Sequence, residues 1–140
     1  MFLENPVNQN EQFGWIEVIC GSMFSGKTEE LIRRLKRAQL AKQKIQIFKP
    51  SIDQRFDNNL VISHDANQIH STAVSTAENI SVLANDCKVI GIDEAQFFDN
   101  EIVEVCNNLA NRGARVIVAG LDLDYKGKPF GPMPALMATA

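Results

Sequence analysis

The sequence predicts an α/β fold in which an open, mostly parallel sheet is flanked by helices. Short β-branched apolar runs alternate with segments whose apolar residues recur at helical spacing, an order typical of right-handed strand–helix–strand units. A glycine-rich loop, residues 21–28, joins the first apolar run to the first helical segment. Ligands bind such sheets at the carboxyl ends of the strands, where this loop lies. The fold class therefore predicts that the functional site lies at the edge of the sheet where the carboxyl ends of the strands meet.

Four apolar runs predict the strands of this sheet. Each is short and rich in valine or isoleucine, which favour strands. The polar segment between the second and third runs, residues 51–76, predicts a long loop with a hairpin, because its two β-like pieces (VIS and IHSTAV) are short. The four runs are residues 15–20 (WIEVIC), 44–48 (KIQIF), 88–93 (KVIGID) and 115–121 (RVIVAGL).

Apolar stripes predict helices between the strands. One stripe follows the glycine-rich loop, and a second precedes the fourth strand and is closed by Gly113. A shorter helix is predicted within residues 77–86, with Thr76 as its N-cap, and another is predicted to begin near Met133. The two stripes consist of Leu31, Ile32, Leu35 and Ala38, and of Ile102, Val105, Cys106, Leu109 and Ala110.

Length and composition indicate one globular domain. A chain of 140 residues with 45% apolar and 22% charged residues is long enough for a substantial core. Its apolar runs fall well short of the ~20 residues of a membrane span. Its first residues lack the basic and apolar regions of a signal peptide. We therefore expect a mobile tail at residues 1–14, a domain at residues 15–140 and no membrane partner.

Charge and cysteine content narrow the function classes. The net charge of −3 argues against a nucleic-acid partner. Residues 33–44 (RRLKRAQLAKQK) carry six basic residues. A solvated helix face is the favoured interpretation, and a patch for an anionic ligand or a neighbouring subunit is the alternative. Cys20, Cys87 and Cys106 form no CxxC pair, which favours a reducing, cytoplasmic setting without a disulfide or metal framework.

The glycine-rich loop has the spacing G-x-x-x-x-G-K-[ST] of a phosphate-binding loop. Backbone N–H groups in such a loop surround a chain of phosphates, a lysine reaches the outer phosphates and a hydroxyl binds Mg²⁺. Its position between a strand and a helix is the context that this motif requires. The sequence therefore predicts a nucleoside triphosphate site at Gly21, Ser22, Met23, Phe24, Ser25, Gly26, Lys27 and Thr28.

Two adjacent carboxylates lie where the third predicted strand ends. Asp93 lies where it can hold Mg²⁺ opposite Thr28, as the carboxylate of a Walker B strand does. Glu94 is then free to accept a proton from the group that attacks the γ-phosphate, either water or an alcohol. The alternative is that both residues cap the next helix. With the loop present, the pair favours phosphoryl transfer, but it leaves the acceptor unnamed.

Five segments together resemble the type II, cytosolic class of thymidine kinase. The resemblance extends over residues 15–140, and its last two segments are far more specific than the loop. It implies transfer of phosphate from ATP, with Mg²⁺, to the 5′-hydroxyl of thymidine or deoxyuridine by a homo-oligomer, usually a tetramer. The segments are GSMFSGKT, FKPSIDQRF, SHD, GIDEAQFF and AGLDLDYKGKPFGPMP.

The resemblance also implies roles for individual residues. Glu94 corresponds to the catalytic base, Asp93 to the metal-side carboxylate, and Ala95 and Gln96 to the segment beside the nucleotide. Asp53 and Arg55 match an acid and a base that contact the metal or phosphates, with a surface pair as the alternative. His64 and Asp65 match the family without an assigned role, and Phe98 is expected to pack in the core. Met23, Phe97, Leu121 and Tyr125 correspond to the walls of the thymine pocket, with core packing as the alternative.

The resemblance departs from the family at the carboxyl end. The family continues into a smaller part in which two cysteine pairs hold a structural Zn²⁺ and a loop closes over the thymine. We expect Zn²⁺ only with that part, which the sequence ending at Ala140 does not contain. Residues 1–140 alone are then expected to bind Mg·ATP but to phosphorylate little thymidine. The alternatives are a P-loop ATPase fragment and a nucleotide-binding module without catalytic activity.

Overall fold

The computed structural model describes residues 14–22, 25–51, 60–62 and 68–140. Within them, one sheet has the strand order β1-β6-β5-β2-β4-β3. All neighbouring pairs are parallel except β3 and β4, which are antiparallel. The strands are β1 (Trp15–Gly21), β2 (Ile45–Pro50), β3 (Leu60–Ile62), β4 (Gln68–Val74), β5 (Val89–Ile92) and β6 (Arg115–Leu121).

Helices cover both faces of the sheet, which explains why its inner strands are continuously apolar. Helix α1 packs on one face, and the other helices belong to the core of the opposite face. Along β6 the side chains alternate, with Val116 and Val118 towards one core and Ile117 towards the other. The helices are α1 (Lys27–Leu40), α2 (Ala77–Leu83), α3 (Glu101–Asn111) and α4 (Met133–Thr139), and a 3-10 turn spans Ala95–Phe97.

The predicted α/β class and parallel sheet are confirmed. The four apolar runs are strands, and both apolar stripes are buried helix faces. Helix α4 begins at Met133, as expected. Thr76 occupies the N-cap of α2 with an extended backbone, but its side chain makes no capping hydrogen bond.

The prediction of a long loop with a hairpin at 51–76 is only partly right. Strands β3 and β4 do form the antiparallel pair, but β4 also pairs in parallel with β2 and so belongs to the main sheet. A polar sequence can form such a strand because tertiary pairing outweighs local preference. Ser71 is fully buried in β4 opposite Ile47.

A network of charges joins the strand and the helix on either side of the phosphate loop. Glu17 of β1 accepts hydrogen bonds from Arg34 of α1 (Nη1–Oε1, 2.8 Å) and from Arg115 of β6 (Nη2–Oε1, 3.0 Å; also from Nε). The indole Nε1 of Trp15 donates to the same carboxylate at 2.7 Å. Arg34 also donates to Glu30 within α1, at 2.7 Å. The first turn of α1 is therefore tied to the sheet through side chains as well as through the loop.

Candidate active site

The phosphate loop leaves β1 at the carboxyl edge of the sheet. Gly21 is paired with Leu121 of β6 at that edge, and Ser25 donates its backbone N–H to the carbonyl of Ser22 at 3.3 Å. Gly26, the N-cap of α1, has φ 87° and ψ 18°, a left-handed conformation that glycine adopts without steric cost. The second glycine of the motif thus turns the chain into the helix, whose N-terminus favours a phosphate.

The side chain of Lys27 lies across the loop and outside the core. Its Nζ donates to the carbonyl oxygen of Ser22 at 2.6 Å and lies 3.4 Å from the Ser25 hydroxyl oxygen. Both partners belong to the loop itself. A phosphate bound in the loop would therefore meet this cation within reach of the backbone amides.

Thr28 and Asp93 meet between α1 and the end of β5. The Thr28 hydroxyl lies 3.4 Å from Oδ2 of Asp93, and the backbone N–H of Asp93 donates to the carbonyl of Phe48 on β2 at 2.8 Å. Asp93 is only 8% exposed. Burial raises the pKa of its carboxyl to about 6; the neighbouring charge of Glu94 acts in the same direction, against hydrogen bonds from Glu94 and Thr28.

The hydroxyl and carboxylate of this pair are suited to Mg²⁺. Mg²⁺ prefers oxygen ligands and in nucleotide sites uses one or two carboxylates, several waters and the phosphates of the substrate. A cluster of protein carboxylates is therefore unnecessary. In the part of the chain that the structure describes, no group of three or more His, Cys, Asp or Glu side chains could hold a metal ion.

Glu94 turns the chain out of β5 in a conformation that is rare for its residue type. Its φ of 53° and ψ of 40° are left-handed, and its backbone N–H donates to Oδ1 of Asp93 at 3.0 Å. The side chain is exposed, and its Oε2 accepts a hydrogen bond from Nε2 of Gln96 at 2.8 Å. Glu94 is thus a solvent-accessible carboxylate directly after the buried Asp93.

Gln96 is buried behind Glu94. Only 3% of the residue is exposed, and its Oε1 accepts the backbone N–H of Leu121 at 3.0 Å. The side chain therefore joins the end of β5 to the end of β6. Ala95 is fully buried in the same turn.

Aromatic side chains lie near the carboxyl ends of β5 and β6. Phe97 is half-exposed, and its ring packs edge-to-face against Phe130, with ring centroids 5.6 Å apart. Leu121 is partly buried at the end of β6. Tyr125 is 92% exposed, with the Lys126 ammonium 5.5 Å from its ring centroid. The structure therefore brings together Phe97 and Phe130, whereas Tyr125 lies at the tip of its loop.

Phe130 is a candidate site residue that the sequence motifs alone do not single out. It lies in the KGKPFGP segment, which supports the family resemblance without assigning this phenylalanine a role. The signal that could have found it is the turn before it. Asp124 accepts hydrogen bonds from the backbone N–H groups of Lys126 and Lys128, at 2.8 and 3.0 Å, and so folds the loop back towards the sheet.

Residues 14–140 match the family model described as thymidine kinase. The chain belongs to the thymidine kinase family. A thymidine kinase of Bacteroides fragilis (strain YCH46) is 57% identical over 140 residues, which cover the whole of this chain and 70% of that protein. One from Rhodothermus sp. (strain ITI 518) is 62% identical over 127 residues, 91% of this chain and 60% of that protein. The family predicted from the five segments is confirmed.

A solved structure shares the fold of this thymidine kinase family chain. The Legionella pneumophila ATPase DotB matches with a TM-score of 0.54 and 15% identity, over 93% of this chain and 35% of that chain. At this identity the likeness concerns the fold alone.

Among the described helices, none is both long and apolar enough to cross a membrane.

Several of the predicted site residues lie in parts of the chain that the structure does not describe. The predictions for Met23 and Phe24 lie outside the described residues, as do those for Asp53 and Arg55 and for His64 and Asp65. The same holds for residues 1–13 of the predicted tail. Phe98 is buried in the core, as expected. The roles of the other family residues stay predictions.

Proposed function

We propose that this protein is a thymidine kinase that transfers the γ-phosphate of ATP to the 5′-hydroxyl of thymidine or deoxyuridine. The observation that carries the proposal is the contact between Thr28 and Asp93, which sets a phosphate-loop hydroxyl against a buried carboxylate, with the exposed Glu94 next to it. The curated relatives, 55–62% identical, that bear the same family name support this acceptor.

The loop supplies the ATP side of the proposed site. Its backbone amides and the N-terminus of α1 hold the phosphates, and Lys27 exchanges its hydrogen bond to Ser22 for the outer phosphate oxygens. Thr28 and Asp93 would hold Mg²⁺, which neutralises charge on the β- and γ-phosphates when it is bound. The backbone of residues 93–96 lines the nucleotide side.

Glu94 supplies the proposed base. The 5′-oxygen of the nucleoside forms a bond to the γ-phosphorus while the bond to the bridging β–γ oxygen breaks, and the hydroxyl proton passes to the Glu94 carboxylate. The products are the nucleoside 5′-monophosphate and ADP. Glu94 is exposed next to the buried Asp93, so its carboxylate is accessible to the hydroxyl of a bound nucleoside.

The nucleoside side of the proposed site is apolar. Phe97 and Phe130, whose rings pack edge-to-face, form one wall, and Leu121 at the end of β6 adds to it. The predicted contact of Tyr125 with the base requires its exposed loop to close over the site, and the predicted role of Met23 lies outside the described residues. This chain covers 70% of the Bacteroides fragilis relative. We propose that the remaining part of a full-length protein closes over the thymine ring and carries the structural Zn²⁺. We also propose that it contributes to a tetramer and that the protein acts in the cytoplasm.

Labelled thymidine with Mg·ATP tests the proposal, with the full-length protein and residues 1–140 side by side. We expect the full-length protein to form thymidine monophosphate, and the short chain to bind Mg·ATP with little transfer. The physical reason is that an open pocket orients the acceptor hydroxyl poorly, and orientation contributes several kcal/mol to such reactions.

Two outcomes would contradict the proposal. Phosphate release that is independent of thymidine would indicate an ATPase, and ATP binding without turnover in the full-length protein would indicate a binding module. Full activity in residues 1–140 would place the nucleoside site entirely within this chain.

A further inference from the structure

Gln96 connects the proposed base to β6, the strand that leads into residues 122–132, here called the nucleoside loop. Its Nε2 donates to Oε2 of Glu94 at 2.8 Å, and its Oε1 accepts the backbone N–H of Leu121 at 3.0 Å. The residue is only 3% exposed, so its amide group is sheltered from water by the protein around it. One side chain thus spans the ends of β5 and β6 at the functional edge.

The two contacts fix the orientation of the Gln96 amide. A backbone N–H can only donate, so the group facing Leu121 must be the amide oxygen. The amide nitrogen then faces Glu94, where it can donate to an ionised carboxylate. Reversing the amide would set two donors against each other and two acceptors against each other, so a single arrangement satisfies both neighbours.

The residues around Gln96 pack closely against it, so its side chain has little space for another position. A Cβ at Gly120 would lie 2.9 Å from Oε1 of Gln96 and 2.8 Å from Sδ of Met133. A Cβ at Gly131 would lie 2.6 Å from the backbone oxygen of Gln96. Two glycines therefore allow close approach to Gln96 from β6 and from the loop that follows it.

The contact with Gln96 limits the motion of an exposed carboxylate. The backbone of Glu94 is in the left-handed region, and its side chain is otherwise free to sample several rotamers in solvent. Within the described residues, Gln96 is the side chain that donates to it. A base that must meet one hydroxyl gains from being held in one rotamer.

We propose that Gln96 is a positioning residue, which holds the Glu94 carboxylate in one orientation relative to Leu121 and the nucleoside loop. The inference rests on the proposed function, because it gives Gln96 a part in the transfer that Glu94 assists. It differs from contact with the nucleotide, since both polar ends of the buried side chain are used within the protein.

Four full-length proteins test this role: the wild type, Gln96→Met, Glu94→Gln and the double variant. Methionine has a similar length but neither donates nor accepts as an amide does. We expect Gln96→Met to lower kcat for thymidine about 10- to 100-fold, since small misplacements of reacting groups have effects of this size. The KM for ATP and the ATP affinity by calorimetry should stay near wild type. In the Glu94→Gln background, the same substitution should lower kcat little further.

A matched control and a second variant guard against effects of folding. Gln46→Met makes the same change on β2, where Gln46 contacts Cys87, and should leave kcat unchanged. Gln96→Glu keeps the acceptor for Leu121 but replaces the donor to Glu94 with a second carboxylate. Gln96→Glu should lower kcat at least as much as Gln96→Met. If the methionine variant does not fold, the kcat of Gln96→Glu tests the positioning role in its place.

The outcomes separate this role from the proposed function. Equal losses of kcat with and without the Glu94 carboxylate, or wild-type kcat in both Gln96 variants, would overturn the positioning role alone. If the wild type transferred phosphate to water instead of thymidine, the proposed acceptor would be wrong. The rates of phosphate release by the same four proteins would then still test whether Gln96 acts through Glu94. A wild-type protein with no turnover would overturn both.

Discussion

The carboxylate of Glu17 offers a direct test of how the phosphate loop is anchored. It receives hydrogen bonds from Trp15, Arg34 and Arg115, and its side chain is 19% exposed, against 32% and 27% for the two arginines. The substitution Glu17→Gln keeps the shape of the side chain but removes its charge. Two arginines of neighbouring elements then lie side by side without their shared partner.

The expected loss follows from this partial burial. An exposed ion pair contributes about 0–1 kcal/mol, whereas a sheltered hydrogen bond to a charged group contributes about 1.5–3 kcal/mol. With its side chain only 19% exposed, Glu17 is closer to the second case, so we expect Glu17→Gln to lower the free energy of unfolding by about 2 kcal/mol at pH 7. With a urea slope of ~2 kcal/mol per molar, the unfolding midpoint should fall by ~1 M.

The pH dependence identifies the cause. Burial alone would raise the pKa of Glu17, but hydrogen bonds from Arg115 and Trp15 and the charges of Arg115 and Arg34 lower it overall. A lowered folded-state pKa means that the stabilisation is fully present above the ordinary value of 4.5 and is lost as the pH falls through the lowered value. The midpoints of wild type and Glu17→Gln should therefore converge below pH 4.5.

Urea unfolding followed by circular dichroism measures these midpoints. Asp86→Asn is the control, because Asp86 and its partner Lys44 have side chains 66% and 60% exposed, and its midpoint should match wild type at pH 7. A wild-type midpoint for Glu17→Gln at pH 7 would refute the anchoring role. A gap of constant size from pH 7 to pH 3 would show that side-chain packing, and not charge, is responsible.

Three further predictions concern the loop and the two carboxylates. Lys27→Ala should abolish ATP binding by calorimetry without changing the urea midpoint, since its side chain lies over the loop; unchanged ATP affinity would refute the phosphate-loop assignment. Glu94→Gln should lower kcat by ~10²–10⁴ with little change in ATP binding, and retention of most turnover would make Glu94 a structural residue. Asp93→Asn should stabilise the ligand-free protein at pH 8 by at most about 3 kcal/mol, because a pKa raised to about 6 makes its charged form costly. That cost is absent below the ordinary value of 3.8 and complete above about 6, so equal stabilisation at pH 3.5 and pH 8 in urea unfolding would contradict it.

Most of the sheet could be predicted because its pattern is local. Both faces of β5 and β6 are covered, so the strands appear as unbroken apolar runs between turn residues. Strand β4 shows the limit. Its residues at 68–74 are largely polar, and its place beside β2 is determined by pairing with a distant strand. A pattern confined to neighbouring residues cannot contain that information.

The same distinction applies to the candidate site. The loop and the Asp93–Glu94 pair are each contiguous in the sequence, so their chemistry could be predicted from residue type and order. The hydrogen bond from the backbone N–H of Leu121 to Gln96 joins residues that are 25 positions apart in the sequence. The ring contact between Phe97 and Phe130 likewise joins distant segments. Both depend on how the loop after β6 folds back, which the motif alone does not specify.

The left-handed backbone at Glu94 has a consequence for how this protein tolerates change. Side chains other than glycine cost about 1–2 kcal/mol in that region, asparagine and aspartate somewhat less, so folding alone would favour glycine here. In a library that replaces every residue, cellular abundance and thymidine-dependent growth should therefore favour different residues at this position. Glycine should give as much protein as glutamate or more, and the cells carrying it should fail to grow.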